Sequence, residues 1–115
     1  MNYVFKKSEV NAVQEGSNST FYEYKLPGKN ICIGVSEING RYPETGFDVD
    51  EKIEGCWYVE KGKGIIWIAG QEYEIEQGDA VSVPINEKFY IVGESLRLVV
   101  ASTPIWYPEQ HKHID

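Results

Sequence analysis

The sequence predicts an all-β domain that closes into a barrel or sandwich. Between Gly55 and Pro84, four short runs of β-branched and aromatic residues are separated by glycine-containing turns, a spacing typical of antiparallel strands. No segment of useful length has the 3.6-residue period of an amphipathic helix. With 115 residues, the chain is expected to form one domain with a single hydrophobic core. About ten short strands are expected in all, which favours a jelly roll.

Along the chain, an N-terminal arm and loop (residues 1–19) precedes the expected barrel (20–102) and a C-terminal tail (103–115). Residues 2–6 are interpreted as a short strand or arm, and the polar residues after them as loop. Strands are expected at 20–26, 31–38, 56–60, 65–69, 72–76, 80–83, 89–92 and 95–101.

Glycine-rich segments at 61–64 and 93–94 are interpreted as turns between separate strands. A polar loop is expected over 39–46. In the tail, prolines at positions 104 and 108 argue against a regular strand, and Trp106 is expected to anchor the tail on the barrel surface.

The composition excludes several classes of partner. The net charge is -7, so the chain lacks the basic clusters that bind nucleic acid. No apolar run approaches the roughly 20 residues of a membrane span, and no secretory leader is recognised. The two cysteines, Cys32 and Cys56, lie in apolar runs and are expected to be small buried hydrophobes. A cytoplasmic location is therefore predicted.

Three motifs resemble those of the cupin family: Tyr-Val-x-x-Gly-x-Gly at 58–64, Gly-Asp at 78–79 and Val-Pro at 83–84. The resemblance covers residues 40–104. It implies a cupin-type double-stranded β-helix, a small jelly-roll barrel. The tail, which contains Pro-x-Trp-Tyr-Pro-Glu-Gln-His, is also similar to that of a small group of single-domain cupins.

The same resemblance implies that the family's metal ligands are missing. Cupins typically use three histidines and a glutamate; here the glutamate position falls on Gly55 and the third histidine position on Phe89. The first two histidine positions fall on Asp48 and Asp50, or on the residues one position later. No metal or other cofactor is therefore expected, because Phe89 cannot bind one and two carboxylates suit only a hard ion with further oxygen ligands. A metal site built on Asp48, Asp50 and His111 is kept as a second alternative.

Aromatic side chains are candidates for a ligand-binding wall. Trp57 has the same strand parity as Gly55 and is expected to face the barrel interior. With Tyr22, Tyr24 and Phe89 it would stack on a sugar or another flat ring. The alternative, which we favour, is that these rings fill a narrow barrel.

Charged side chains are candidates for orienting a ligand. Asp48 and Asp50 share one strand face and would point into the barrel, but a solvated acidic edge is favoured because unpaired buried carboxylates are costly. Arg97 lies between two leucines. If its side chain faces the barrel interior, it would bind a carboxylate or phosphate of a ligand; the alternative is a side chain on the outer surface of the barrel. Arg41 is a further candidate for ligand orientation.

Catalytic groups are less evident. Proton transfer without a metal would depend on Asp50 or Glu54 acting with Tyr90. His111 and His113 are expected to belong to a frayed terminus, and the alternative is that they fold over the barrel mouth.

Three functional hypotheses follow. The first is a metal-independent barrel that binds a small molecule, namely a sugar derivative or small carboxylate. The second is a metal-free isomerase, epimerase or lyase acting on a sugar derivative, and the third is the atypical metal site. Because the central strands are apolar on both faces, a homodimer is also predicted.

Overall fold

The computed structural model describes residues 3–115 and forms, within them, nine antiparallel β-strands and no α-helix. Two single-turn 3-10 helices span Lys7–Glu9 and Pro108–Gln110. The strands are β1 Asn11–Glu15, β2 Ser19–Glu23, β3 Cys32–Tyr42, β4 Phe47–Asp50, β5 Glu54–Ile68, β6 Gln71–Glu76, β7 Ala80–Val83, β8 Phe89–Thr103 and β9 His111–Ile114.

Strand β8 is the centre of the sheet. It pairs with β3, β4 and β5, the sheet order is β1-β2-β3-β8-β4-β9, and β5 also pairs with β6 and β7. The curled sheet brings Phe89 and Ile91 from the first half of β8 and Leu96 and Leu98 from the second half into one core. The all-β cupin-type barrel predicted from the sequence is therefore confirmed.

The turns predicted at 61–64 and 93–94 are wrong, because two long strands run through them. β5 and β8 each contain 15 residues, whereas the sequence predicts a pair of shorter strands in each place. The pairing register of β5 shifts between Val59 and Lys61 and again before Lys63. Gly62 has a φ of 81°, and a Cβ there would collide with the carbonyl oxygen of Ser95. Gly62 therefore bends a continuous strand at a bulge and does not reverse the chain.

Two other segments differ from the predicted loops. β3 continues through residues 39–42, with a register shift between Ile38 and Gly40. β1 pairs with β2 although all five of its residues are exposed. Such a strand has no alternation of buried and exposed residues, so its sequence resembles a loop. A strand or arm is predicted over residues 2–6. Residues 3–6 form no strand, and residue 2 lies outside the described residues.

The tail is more ordered than the sequence predicts. Residues 104–107 form no strand, as expected from the prolines, but β9 pairs antiparallel with β4. The backbone N–H of Trp106 donates to the sulfur of Cys32 over 3.4 Å.

The cysteine prediction is wrong for Cys56, which is exposed, whereas Cys32 is half-buried; both are free thiols. Residues 3–115 contain no helix with the length and hydrophobicity that a membrane span requires.

Candidate functional site

Asp48 lies on the inner face of the barrel. It is directly opposite Phe89 in the β4–β8 pair and opposite His113 in the β4–β9 pair. Directly opposed residues of antiparallel strands share a face, and Phe89 belongs to the core. Asp48 is 4% exposed. The interpretation of Asp48 and Asp50 as a solvated acidic edge is therefore wrong, because strand pairing supplies the partners that make a buried carboxylate tolerable.

His111 bridges the two aspartates. Its Nε2 lies 2.9 Å from Asp48 Oδ2 and its Nδ1 lies 2.8 Å from Asp50 Oδ1. His113 likewise lies between two carboxylates, with Nδ1 2.9 Å from Asp48 Oδ1 and Nε2 3.0 Å from Asp115 Oδ1. An imidazole donates from both nitrogens only when it is protonated. The prediction of a frayed terminus is therefore wrong, because strand pairing and charged hydrogen bonds hold both histidines.

The protonation states follow from these contacts. Burial disfavours the charge on His111, but hydrogen bonds to Asp48 and Asp50 and their negative charges raise its pKa to about 9. Burial also disfavours ionised Asp48, yet hydrogen bonds from His111, His113 and Tyr42 keep its pKa below the usual range. Burial and the Asp48 carboxylate raise the pKa of Tyr42 well above its ordinary value. At neutral pH the cluster therefore holds a carboxylate, an imidazolium and an un-ionised phenol.

Gln110 fixes the tail beside this cluster. Its buried side chain donates from Nε2 to Asp50 Oδ1 over 2.8 Å and accepts the backbone N–H of Lys52 over 3.2 Å. The ring of Trp106 lies 5.8 Å from that of His111. We call Tyr42, Asp48, Asp50, Gln110, His111 and His113 the inner polar cluster.

Four members of this cluster, Tyr42, Gln110, His111 and His113, are not among the predicted site residues; the two histidines are named only in the alternatives to a frayed terminus. A usable signal was present for His113. Asp-x-Asp at 48–50 and His-x-His at 111–113 have the same two-residue period, so the two motifs match when their strands pair.

The predicted aromatic wall is only partly assembled. Trp57 meets Phe89 edge to face, with ring centroids 5.1 Å apart, on the inner face as predicted. Tyr22 lies on the outer face, where its hydroxyl donates to Glu37 Oε1 over 2.6 Å. Tyr24 packs against Phe5 at 6.1 Å. The structure thus places Trp57 and Phe89 together, apart from the two tyrosines.

Arg41 and Tyr90 belong to an outer aromatic patch. The guanidinium of Arg41 lies 4.2 Å from the centre of the Tyr90 ring and donates to the carbonyl oxygens of Pro43 and Gly46. Tyr90 also stacks on Trp67, with centroids 5.9 Å apart. These two predicted site residues therefore lie on the opposite face of the sheet from Phe89.

Arg97 also lies outside, since its neighbours Leu96 and Leu98 are buried. It forms ion pairs with Glu37 at 2.8 Å and Glu60 at 3.2 Å. Glu54 is exposed at the start of β5. The structure therefore brings neither Glu54 nor Tyr90 into the inner polar cluster.

The residues present do not fit the metal that cupins typically hold. Phe89 offers no donor atom and Gly55 no side chain, and both nitrogens of His111 already contact carboxylates. Within residues 3–115, no three or more histidine, cysteine or acidic side chains are grouped so as to hold a metal ion.

Comparisons with known proteins support the fold. The family model for the cupin domain matches residues 44–102, more than half of the chain. No curated protein sequence matches the chain significantly. A structure of Streptomyces Pac13 with uridine has a TM-score of 0.89 at 14% identity, covering 100% of this chain and 92% of that one. Another Pac13 structure, described as that of a unique nucleoside dehydratase, has a TM-score of 0.88 at 14% identity, covering 99% and 92%.

KdgF from a Halomonas species matches with a TM-score of 0.74 at 14% identity, covering 89% of this chain and 94% of that one. At these identities the likenesses establish the fold alone. The family match over more than half of its length shows that this chain belongs to the cupin domain family.

Proposed function

We propose that the barrel binds a small polar metabolite, a sugar derivative or small carboxylate, at the inner polar cluster without a metal. The observation that carries this proposal is His111 held between Asp48 and Asp50 on the face that also carries Phe89. The polar groups would orient the ligand, and the half-buried ring of Trp57, which packs on the core residue Phe89, would supply apolar contact.

Solvent reaches this cluster through the histidines. Asp48 is buried, whereas His111 and His113 remain partly exposed. A ligand therefore meets the histidines first. Because both ring nitrogens of His111 already contact Asp48 and Asp50, a ligand hydroxyl would bind this cluster by donating to the Asp50 carboxylate. The uridine in the Pac13 structure, which has a sugar ring, supports the choice of a sugar derivative.

A metal-free lyase, isomerase or epimerase is the second candidate function. The direct contacts between two carboxylates, an imidazolium and a phenol favour it, because acid–base chemistry needs a base and an acid in reach of one substrate. Asp50 would take a proton from carbon and His111 would give one to the departing oxygen. Asp50 was one of the predicted bases, and His111 replaces Tyr90 as its partner. The description of Pac13 as a nucleoside dehydratase supports this reaction class.

The test uses uridine, D-glucose and D-glucuronate as probes in thermal-shift and calorimetric titrations. At least one probe is expected to bind, and Asp50→Asn to weaken it about tenfold, the usual effect of losing a hydrogen bond to a charged group. Glu74→Gln, on the exposed outer side of β6, is the matched control and should bind like the wild type.

Absence of saturable binding by all three probes, or equal affinity in the two variants, contradicts the binding proposal. Stoichiometric transition metal in protein purified without chelator contradicts metal independence. For the enzyme candidate, NMR of each bound probe in D2O should show proton exchange or loss of water that Asp50→Asn abolishes.

We also propose a homodimer through the outer aromatic patch and a cytoplasmic location. Phe47, Trp67 and Tyr90 form a contiguous ring cluster that a second copy would cover. The two free thiols support a reducing compartment. Light scattering should give twice the chain mass, and Trp67→Lys should halve it.

A further inference from the structure

A cleft of about 320 Å³ opens where the bulged parts of β3, β5 and β8 meet the loop before β2. It shares no residue with the inner polar cluster. Its lining includes Ser19, Thr20, Glu37, Asn39, Lys61, Ser95 and Arg97.

A network of charged hydrogen bonds fixes one wall of this cleft. Arg97 contacts Glu37 at 2.8 Å and Glu60 at 3.2 Å, and the hydroxyl of Tyr22 donates to the other oxygen of Glu37. The hydrogen bond from Tyr22 and the Arg97 charge lower the pKa of Glu37. The guanidinium and carboxylate are therefore held in place and charged before any ligand arrives, which reduces the entropy lost on binding.

Polar groups remain available around this network. Among residues 3–115, the ammonium of Lys61 and the hydroxyl of Thr20 have no hydrogen-bond partner. The side chain of Asn39 accepts the Ser95 backbone N–H through its oxygen, and its NH2 has no partner in the described part of the chain. In the wall beneath, the buried hydroxyl Ser19 Oγ likewise has no partner among these residues. A cleft this rich in unused donors is suited to a ligand with several oxygen acceptors.

The charges indicate a neutral ligand. Two acids, Glu37 and Glu60, balance two bases, Lys61 and Arg97, and the whole chain carries -7. An anion would meet an unfavourable overall field, and a cation would meet Lys61 and Arg97. Hydroxyl groups both donate and accept, so they pair with fixed carboxylates and guanidinium groups without adding charge. The volume is at the lower end of small-molecule sites.

We propose that this cleft is a second ligand site, separate from the inner polar cluster, which takes a neutral, hydroxyl-rich ligand of monosaccharide size.

The experiment follows backbone amides by 15N NMR while D-glucose or D-xylose is added to the full chain. Saturable shifts are expected at residues 17–20 and 95–97. Lys61→Met, an exposed substitution, should weaken binding about fivefold, as expected for one hydrogen bond. Lys63→Met is the matched control on the same strand and should bind like the wild type, because Lys63 is outside this cleft.

Arg97→Met should weaken binding further, and the spectrum of each variant shows directly whether it folds. No saturable shift with either sugar up to about 50 mM, a range that covers even very weak affinities, overturns the proposal. Shifts confined to residues 48–50 and 111–113 overturn the second site and support only the first. Saturation by D-glucuronate or phosphate in place of neutral sugars overturns the assigned ligand class.

Discussion

The barrel contains two groups of paired charges that differ in exposure to solvent. In the inner polar cluster the Asp48 side chain is 5% exposed, whereas Glu60, paired with Arg97 outside, is 50% exposed. Hydrogen bonds and charge attraction act in both places. In the inner group, the contacts with Asp48 and Asp50 raise the pKa of His111 to about 9 despite its burial, whereas the outer pairs are partly screened by water. Similar ion pairs are thus expected to differ in their contributions to stability.

The largest expected difference comes from removing one carboxylate on each side. Asp48→Ala leaves Tyr42 and two histidines without their shared partner and should lower the free energy of unfolding by about 3 kcal/mol. Glu37→Ala should cost less than about 1 kcal/mol, because its pairs are partly solvated. Urea denaturation at pH 6 measures both, and equal losses would contradict the comparison.

The second-largest loss of stability from a substitution is expected at the bulge of β5, where Gly62 lies against β8. Gly62→Ala places a Cβ against the Ser95 carbonyl and should cost about 2 kcal/mol. Gly70→Ala has nearly the same positive φ, but no atom lies within 4 Å of the added Cβ. Gly70→Ala therefore measures the backbone strain alone. A stability for Gly62→Ala equal to that of Gly70→Ala would show that the carbonyl contact costs nothing.

The pH dependence of the free energy of unfolding should distinguish the inner polar cluster from the outer ion pairs. The folded pKa of His111 is about 9 and its unfolded value about 6.5, so its stabilisation is fully present below pH 6.5 and is lost as pH rises through 9. The depressed pKa of Asp48 acts oppositely, since its contribution is present above pH 3.8 and is lost as pH falls through the folded pKa.

The free energy of unfolding, measured by urea denaturation from pH 6 to 10, should therefore fall by about 3 kcal/mol, since one pKa unit is worth about 1.4 kcal/mol. His111→Gln should flatten this dependence, whereas Lys112→Gln, beside it on β9, should retain it. A wild-type curve without a decline over this range would show that the folded structure does not hold the proton on His111.

The smallest effect is expected outside. Arg97→Met should change the free energy of unfolding by about 0.5 kcal/mol, and the difference should shrink in high salt because the pairs are exposed. Denaturation at two ionic strengths measures it. A salt-independent loss above about 2 kcal/mol would mean that Arg97 is as strongly coupled as the inner cluster.

Much of the fold was predictable because strand periodicity and turn residues act locally. The strand predicted at 72–76 is observed as β6, with Ile75 buried. The parity of Trp57 likewise gave its inward direction. The turns predicted at Gly62 and Gly93 are wrong because a glycine permits both a turn and a bulge, and the pairing with neighbouring strands decides between them.

The site was harder to predict because its members come from the middle and from the C-terminal end of the chain. Asp48 and His113 are 65 residues apart and meet only because β9 pairs with β4. No local sequence pattern predicts that a terminal His-x-His forms a strand paired with β4. Arg41 and Tyr90 show the converse, since both suit a ligand site by type but lie on the outer face.

Residue type and spacing in the sequence determined an all-β barrel and much of its inward and outward alternation, because these patterns act locally. The resemblance of its motifs to the cupin family implied the cupin-type fold and the missing metal ligands at Gly55 and Phe89. The tertiary structure decided which polar groups are paired. Burial of Asp48, protonation of His111 and the cleft beside Arg97 all depend on contacts between distant strands, and desolvation exists only once those strands have closed around the side chains.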